Sequence, residues 1–171
     1  MTPATGRIAV VVGADGATTQ ALFAAMVASW RASGARIAGV IAEAHNLPDR
    51  SCSAGYLRDI ASGTPYPMFL ETAPASTSCH LDAGGVESAC AAVLDQVPTS
   101  DLVVLSKFGK LEAARGGLAA AFEAAIAAGK PVLTTVSEKH RDAWEALAPG
   151  AIRLTDEPAI QAWWRTMRPA T

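Results

Sequence analysis

The stretch RIAVVVGADGATT, residues 7–19, decides the fold class. Its first half is a continuous run of apolar residues, which is typical of a parallel strand buried on both faces. Residues 13–19, here called the glycine turn, follow it, and apolar residues then recur at helical spacing as far as Gly34. A second apolar run at 37–41 predicts another buried strand. This strand–turn–helix–strand order indicates the first half of a doubly wound sheet.

The rest of the chain predicts the other elements of one α/β domain. Apolar runs at 101–105 and 131–136 predict two more central strands, and 152–154 predicts a short one. Residues 57–70, with Ser62-Gly63 between two short strand patterns, predict a small β-hairpin at one edge of the sheet. We therefore expect a single three-layer, P-loop NTPase-like domain over residues 1–171, with a mainly parallel sheet.

Three further helices are predicted. Asp82 is a candidate N-cap for a helix that runs to about residue 97. A long alanine-rich helix is expected to follow the turn at 106–109 and to end at Gly129. The chain closes with an amphipathic helix that carries Trp163 and Trp164.

Composition narrows the function classes. Half of the residues are hydrophobic and only 18% are charged, so the chain can bury a core. The net charge of −2 argues against a nucleic-acid or membrane-surface partner bound by bulk electrostatics. No secretory signal or membrane span is recognisable, and three cysteines are an odd number, so we expect reduced thiols, a cytoplasmic location and no membrane insertion. The oligomeric state stays open, a homo-oligomer included.

The glycine turn lies where an α/β sheet of this type binds phosphate. A working P-loop reads G-x-x-x-x-G-K-[ST]. This turn keeps Gly13, Gly16, Thr18 and Thr19 but has no lysine, and Asp15 adds a negative charge. The backbone N–H groups there could still bind an anion. The alternative is a simple turn in which Thr18 or Thr19 caps the helix.

The strand at 101–105 ends in Ser106 and Lys107, where P-loop enzymes place a Mg²⁺-binding acid and often a glutamate that activates water. A serine does not supply the charge, and a protonated lysine is no base. Lys107 and Lys110 are instead predicted to form the positive side of an oxyanion site beside the glycine turn. The alternatives are solvated surface lysines, or Lys110 paired with Glu112.

Cys79 and His80, two candidate metal ligands, lie at the start of a predicted helix. A helix N-terminus lowers the pKa of a thiol, so Cys79 is a candidate nucleophile or metal ligand together with His80 and Cys52. The chain has no C-x-x-C and no histidine pair at ligand spacing, which disfavours a structural zinc site. Alternatively His80 is a surface or capping residue. Cys90 is expected in the core.

The order of these segments resembles that of the thermophilic nucleoside-triphosphatase family of P-loop proteins. The resemblance is carried by residues 39–43, 57–63, 101–112 and 131–136. In that family the strand ends in D-E-x-G-K-x-E, and Ser106 and Lys107 replace the two acids here.

The chain is more similar to an uncharacterised bacterial family related to that one, a domain of unknown function. Its pattern is roughly C-R-L-D, N-K-F-G-K-x-E and G-x-P-V-L, which residues 79–82, 106–112 and 129–133 follow. The departures are His80, Ser106 and Ala114. The resemblance implies the P-loop fold and a genomic neighbourhood of molybdate uptake, but no reaction.

These observations favour a non-hydrolysing anion-binding protein linked to molybdenum metabolism, with molybdate or a phosphate-bearing molecule as ligand. A nucleotide-binding NTPase or phosphotransferase with degenerate Walker motifs is the first alternative. The others are a thiol metal chaperone and a structural protein that docks through the helix carrying Trp163 and Trp164. The sequence identifies no cofactor.

Overall fold

The computed structural model describes residues 6–44, 54–67 and 83–167. Its strands are β1 (Ile8–Val11), β2 (Ile37–Ala44), β3 (Ala54–Asp59), β4 (Pro65–Pro67), β5 (Leu102–Leu105), β6 (Val132–Thr134) and β7 (Ile152–Leu154). Its helices are α1 (Gly16–Ala32), α2 (Ala83–Gln96), α3 (Lys110–Ala113), α4 (Ala119–Ala127), α5 (Arg141–Leu147) and α6 (Glu157–Met167). Single 3₁₀ turns at Val97–Thr99 and Glu138–His140 precede β5 and α5. None of these helices is long and apolar enough to cross a membrane.

The described strands form one mixed sheet in the order β4-β3-β2-β5-β6-β1-β7. Five strands that are adjacent in this order, β2, β5, β6, β1 and β7, run parallel to one another. β3 and β4 form an antiparallel hairpin that pairs with β2. The predicted edge hairpin is therefore confirmed, and its outer strand begins and ends with proline. The five parallel strands end at one side of the sheet. We call this side the carboxyl edge; residues 12–15, 106–109 and 135–137 follow β1, β5 and β6 there.

Helices cover both faces of the sheet, as expected for three layers. On one face α1 and α6 pack through Phe23, Met26 and Ile160 against alternate strand residues such as Val104. On the other face α2, α4 and α5 enclose a second core, to which Leu105 contributes. Because side chains alternate along a strand, consecutive residues of β5 serve the two cores in turn.

The predicted long alanine-rich helix is wrong, because α3 and α4 are separate. Arg115 and Gly117 between them have φ values of 67° and 57°, in the left-handed region that ends a helix. The buried Glu112 carboxylate accepts hydrogen bonds from the N–H groups of Gly109 (2.9 Å) and Leu118 (2.8 Å). The carboxylate thus bonds one N–H group at the start of α3 and one at the start of α4, on the two sides of the break.

The two tryptophans of α6 are buried, and docking of a partner through this helix stays a prediction. Their exposed fractions are 5% and 2%. The Trp164 ring lies 5.3 Å from the Trp30 ring, and Trp163 Nε1 donates to the Gly6 carbonyl at 2.7 Å. The two indoles hold α6 against α1 and the sheet, so they offer no aromatic face to a partner.

Candidate functional site

The carboxyl edge is fixed by two threonines of the β6 end. Thr134 Oγ1 donates to the Leu105 carbonyl at 2.7 Å, and Thr135 Oγ1 donates to the Val11 carbonyl at 3.1 Å. Each hydroxyl therefore holds the end of a neighbouring strand, β5 on one side and β1 on the other. Our sequence analysis missed both threonines; the available signal was two hydroxyl residues closing a buried strand.

In the glycine turn, Asp15 is the N-cap of α1. Its carboxylate accepts hydrogen bonds from the Thr18 N–H at 2.8 Å and from the Thr18 hydroxyl at 3.0 Å. These bonds, the backbone one first, hold the pKa of the Asp15 carboxyl below its ordinary value. The buried Thr19 hydroxyl donates to the Asp15 carbonyl at 2.9 Å. The interpretation of Thr18 or Thr19 as the cap is thus wrong, and the Thr18 N–H in the first turn of the helix is already bonded to an internal anion.

Gln20 ties α1 to two strand ends. Its Nε2 donates to the Ser106 carbonyl at 2.8 Å, and its Oε1 accepts from the Ala42 N–H at 3.0 Å. Ser106 is only 4% exposed and lies beneath this bridge. Sequence reasoning missed Gln20, for which the signal was its place in the first turns of the helix that follows the glycine turn. The bridge fixes how α1 sits over the ends of β5 and β2.

Lys107 lies on another part of the edge, together with Ser137. The two turns are joined because Phe108 N–H donates to the Thr135 carbonyl (2.8 Å) and Ser137 N–H donates to the Phe108 carbonyl (3.1 Å). A Cβ placed on Gly109 would lie 3.7 Å from Lys107 Cε and 3.8 Å from Ser137 Oγ. A carboxylate oxygen of the buried Glu112 lies nearest to that position, at 3.6 Å. Lys107, Gly109, Ser137 and this oxygen therefore surround one small space, here called the lysine site.

Both predicted lysines are exposed, and neither forms an ion pair within the described ranges. Lys110 is the first residue of α3. The alternative that pairs it with Glu112 is wrong, because the Glu112 carboxylate is buried and bonded to backbone N–H groups. Lys107 thus carries an unneutralised positive charge at the end of the central strand β5.

The sheet order separates the two predicted halves of the site. β6 lies between β1 and β5, so the turn at 135–137 stands between the glycine turn and the lysine site. In the part of the chain that the structure describes, no hydrogen bond or ion pair joins Lys107 or Lys110 to residues 13–19. The structure brings Ser106 under α1, and Lys107 beside Ser137.

The thiol and metal residues of the prediction, Cys79, Cys52 and His80, lie outside the described residues, and their role stays a prediction. Cys90 is buried in the core, as expected, and burial raises the pKa of its thiol. Across residues 6–44, 54–67 and 83–167, no three His, Cys, Asp or Glu side chains are grouped to hold a metal ion.

Comparison with known proteins places this geometry in a family context. A family model described as a protein of unknown function, DUF2478, matches residues 8–163. A curated protein of Bradyrhizobium diazoefficiens, "Molybdenum import ATP-binding protein ModC 2", is 37% identical over 138 residues. That match covers 78% of this chain but only 15% of the relative's length. No solved structure was found to match the chain.

Proposed function

The chain belongs to the DUF2478 family, and from this premise we propose that it binds an oxyanion without hydrolysing a nucleotide. The proposed ligand is molybdate or a phosphate-bearing molecule, and the proposed role is linked to molybdenum. The name of the Bradyrhizobium relative, a molybdenum import ATP-binding protein, supports that link. The observation that carries the proposal is the exposed, unpaired Lys107 ammonium beside the Ser137 hydroxyl.

The position of Lys107 suits an anion site. Open α/β sheets bind ligands in the crevice outside the carboxyl ends of their strands, and β5 is the central strand of this sheet. An ammonium offers three donors around a compact charge, and a hydroxyl adds one more. The net charge of the chain is −2, so Lys107 and Lys110 create a local positive field rather than a general one.

The absence of hydrolysis follows from the residues that replace the catalytic ones. The glycine turn has no lysine to reach the β- and γ-phosphates, and the Asp15 carboxylate occupies the N–H and hydroxyl donors of Thr18. Ser106 and Lys107 stand where a Mg²⁺-binding acid and a water-activating carboxylate are needed.

The glycine turn keeps a secondary part in the proposal. The turn at 135–137 separates Gly13, Gly16, Thr18 and Thr19 from the lysine site, because β6 lies between β1 and β5. Because the Asp15 carboxylate already accepts the Thr18 N–H, we assign to the turn no direct contact with a bare oxyanion, and a ligand that reaches it must extend across the turn at 135–137.

Isothermal titration of molybdate, sulfate and phosphate into the wild type and Lys107→Ala tests the proposal. A charge-assisted hydrogen bond is worth about 1.5–3 kcal/mol, so Lys107→Ala should weaken binding by about ten- to a hundredfold. Arg165→Ala removes the same charge from the exposed part of α6 and should leave the affinity unchanged. If the wild type binds none of the three anions, or if Lys107→Ala binds as well as the wild type, the proposal fails.

Gly109→Ala gives a second, steric test. The added methyl would meet its neighbours at ordinary contact distances of 3.6–3.8 Å, so the fold should survive. It would nevertheless fill the space between Lys107 and Ser137, so the oxyanion affinity should fall while the melting temperature changes little.

Nucleotide binding without turnover is the second candidate. It is supported by the glycine turn between a buried strand and the 17-residue helix α1, and by the ATP-binding name of the relative. In that case Asp15→Asn should raise the affinity for ATP, because it removes a negative charge and keeps a capping oxygen. An ATP affinity that depends on Lys107 but not on Asp15 would contradict this candidate.

A further inference from the structure

A cleft of about 370 Å³ adjoins the lysine site. It runs between α5 and the face of β1 and β7. Its apolar lining includes the half-buried Val12 and Val136, whereas Val10 and Trp144 border it with only 5% and 4% of their surface exposed. Ser137 also lines it. Because Ser137 flanks Gly109 as well, the cleft and the lysine site meet at this hydroxyl.

The buried Trp144 side chain, which borders the cleft, is held firmly. The Trp144 ring packs edge-on against Phe108 and Phe122, with ring centroids 5.3 Å and 5.6 Å apart. Such T-shaped contacts fix the orientation of an aromatic side chain. Phe108 follows Lys107 directly, so the same cluster links this border of the cleft to the turn that carries the lysine.

The charges in the cleft balance. Glu138, Glu145, Arg141 and Arg153 all line it, and Arg141 Nη2 donates to the two Glu138 carboxylate oxygens at 2.8 Å and 2.7 Å. The cleft therefore has no net charge to attract an anion. Lys107, which forms no ion pair within the described ranges, lies beyond Ser137.

The cleft is also larger than a bare oxyanion needs. Its volume lies within the range of about 300–1,000 Å³ that is common for small-molecule pockets. Building on the proposed oxyanion site, we propose that the ligand is an organic phosphate monoester. Its phosphate would bind Lys107 and Ser137, and its uncharged apolar body would lie over the half-buried Val12 and Val136.

Titration of 1-naphthyl phosphate into the full chain tests this assignment. Inorganic phosphate and 1-naphthol, the two parts of the ester, are titrated separately as controls. Burial of the ring should make the ester bind at least about tenfold more tightly than phosphate. Lys107→Ala should weaken both phosphate and the ester. Ala151→Leu narrows the cleft and should remove the advantage of the ester while leaving the phosphate affinity unchanged.

Ala162→Leu, at an exposed position of α6, is the matched control and should bind the ester like the wild type. An ester that binds no better than phosphate, or one whose advantage survives Ala151→Leu, overturns the cleft assignment. Lys107-dependent binding of phosphate or molybdate would then still support the proposed function, whereas no binding of any probe removes both. If Ala151→Leu does not fold, the comparison of ester with phosphate on the wild type decides alone.

Discussion

At the level of single residues, Asp15 changes what the first turn of α1 can do. A helix N-terminus normally presents free N–H groups and a partial positive charge to an anion. Here the Asp15 carboxylate takes the Thr18 N–H and hydroxyl, and the buried Thr19 hydroxyl bonds to the Asp15 carbonyl. The turn therefore carries its own anion, which explains why the sequence combines a phosphate-binding context with an acidic residue.

The Asp15 cap should make stability depend on pH. Hydrogen bonding holds the pKa of Asp15 below its ordinary value of 3.8, so the ionised cap stabilises the fold fully above pH 3.8. This stabilisation is lost as the pH falls through the lower pKa of the folded state. Asp15→Ala should therefore melt below the wild type at pH 7, and the gap should narrow below pH 3.8.

Asp15→Asn is the control for this effect, because asparagine keeps a capping oxygen but does not titrate. Melting curves of the wild type and both variants, followed by circular dichroism between pH 2.5 and 7, measure the effect. A gap between Asp15→Ala and the wild type that stays constant through pH 3 would show that the carboxylate charge is not involved.

The two predicted classes of cysteine should differ in reactivity. Cys90 is buried and its pKa is raised, so its thiolate is scarce and shielded. Cys79 is predicted to lie at a helix start with a larger thiolate fraction. We expect an alkylating reagent at pH 7 to label Cys79 before Cys90, as read by peptide mass spectrometry. Equal rates in the native protein would remove the case for Cys79, and urea should abolish any difference.

At the level of elements, the pairing of β2 with β5 depends on Gly39. Its φ is +132°, and a Cβ there would lie 1.8 Å from the Val104 carbonyl oxygen. The Val104 carbonyl oxygen belongs to the backbone and cannot move aside as a flexible side chain would. Gly39→Ala should therefore push β2 and β5 apart. We expect a loss of about 4 kcal/mol or more in the free energy of unfolding, or failure to fold.

Gly34→Ala separates this clash from backbone strain. Gly34 also has a positive φ, +98°, but nothing lies within 4 Å of its Cβ position. Gly34→Ala should therefore lower the free energy of unfolding by only about 1–2 kcal/mol. Urea unfolding of both variants measures the difference, and similar losses would mean that strain, not the approach of Val104, governs Gly39.

The sequence predicted the elements better than their interruptions. Apolar runs located the parallel strands because a strand buried on both faces has no polar side to obscure the pattern. The break between α3 and α4 was missed although Gly116-Gly117 marked it. Alanine favours helix locally, but the bonds of Glu112 to Gly109 and Leu118 stabilise the break, and such bonds between separated positions leave no periodic signal.

At the level of the whole molecule, the strand order limits how much of the site could be predicted. That Lys107 lies at the carboxyl edge followed from the direction of β5 alone. The insertion of β6 between β1 and β5 did not, because local patterns carry no strand order. For this reason Ser137 was missed, and the glycine turn was placed directly beside the lysines.

The chain as a whole should be catalytically silent towards nucleotides. Hydrolysis needs a lysine in the glycine turn and an acid at the end of β5, and the two lie on different segments, so no single substitution restores both. Ala17→Lys would give the glycine–lysine–threonine order at 16–18, but Ser106 and Lys107 would still follow β5. We expect phosphate release from ATP and GTP with Mg²⁺ to stay at background for the wild type and for Ala17→Lys.

Turnover of about 1 s⁻¹ that co-purifies with the wild-type protein would refute the non-hydrolysing assignment. The same turnover in Ala17→Lys alone would locate the defect in the turn rather than at the end of β5.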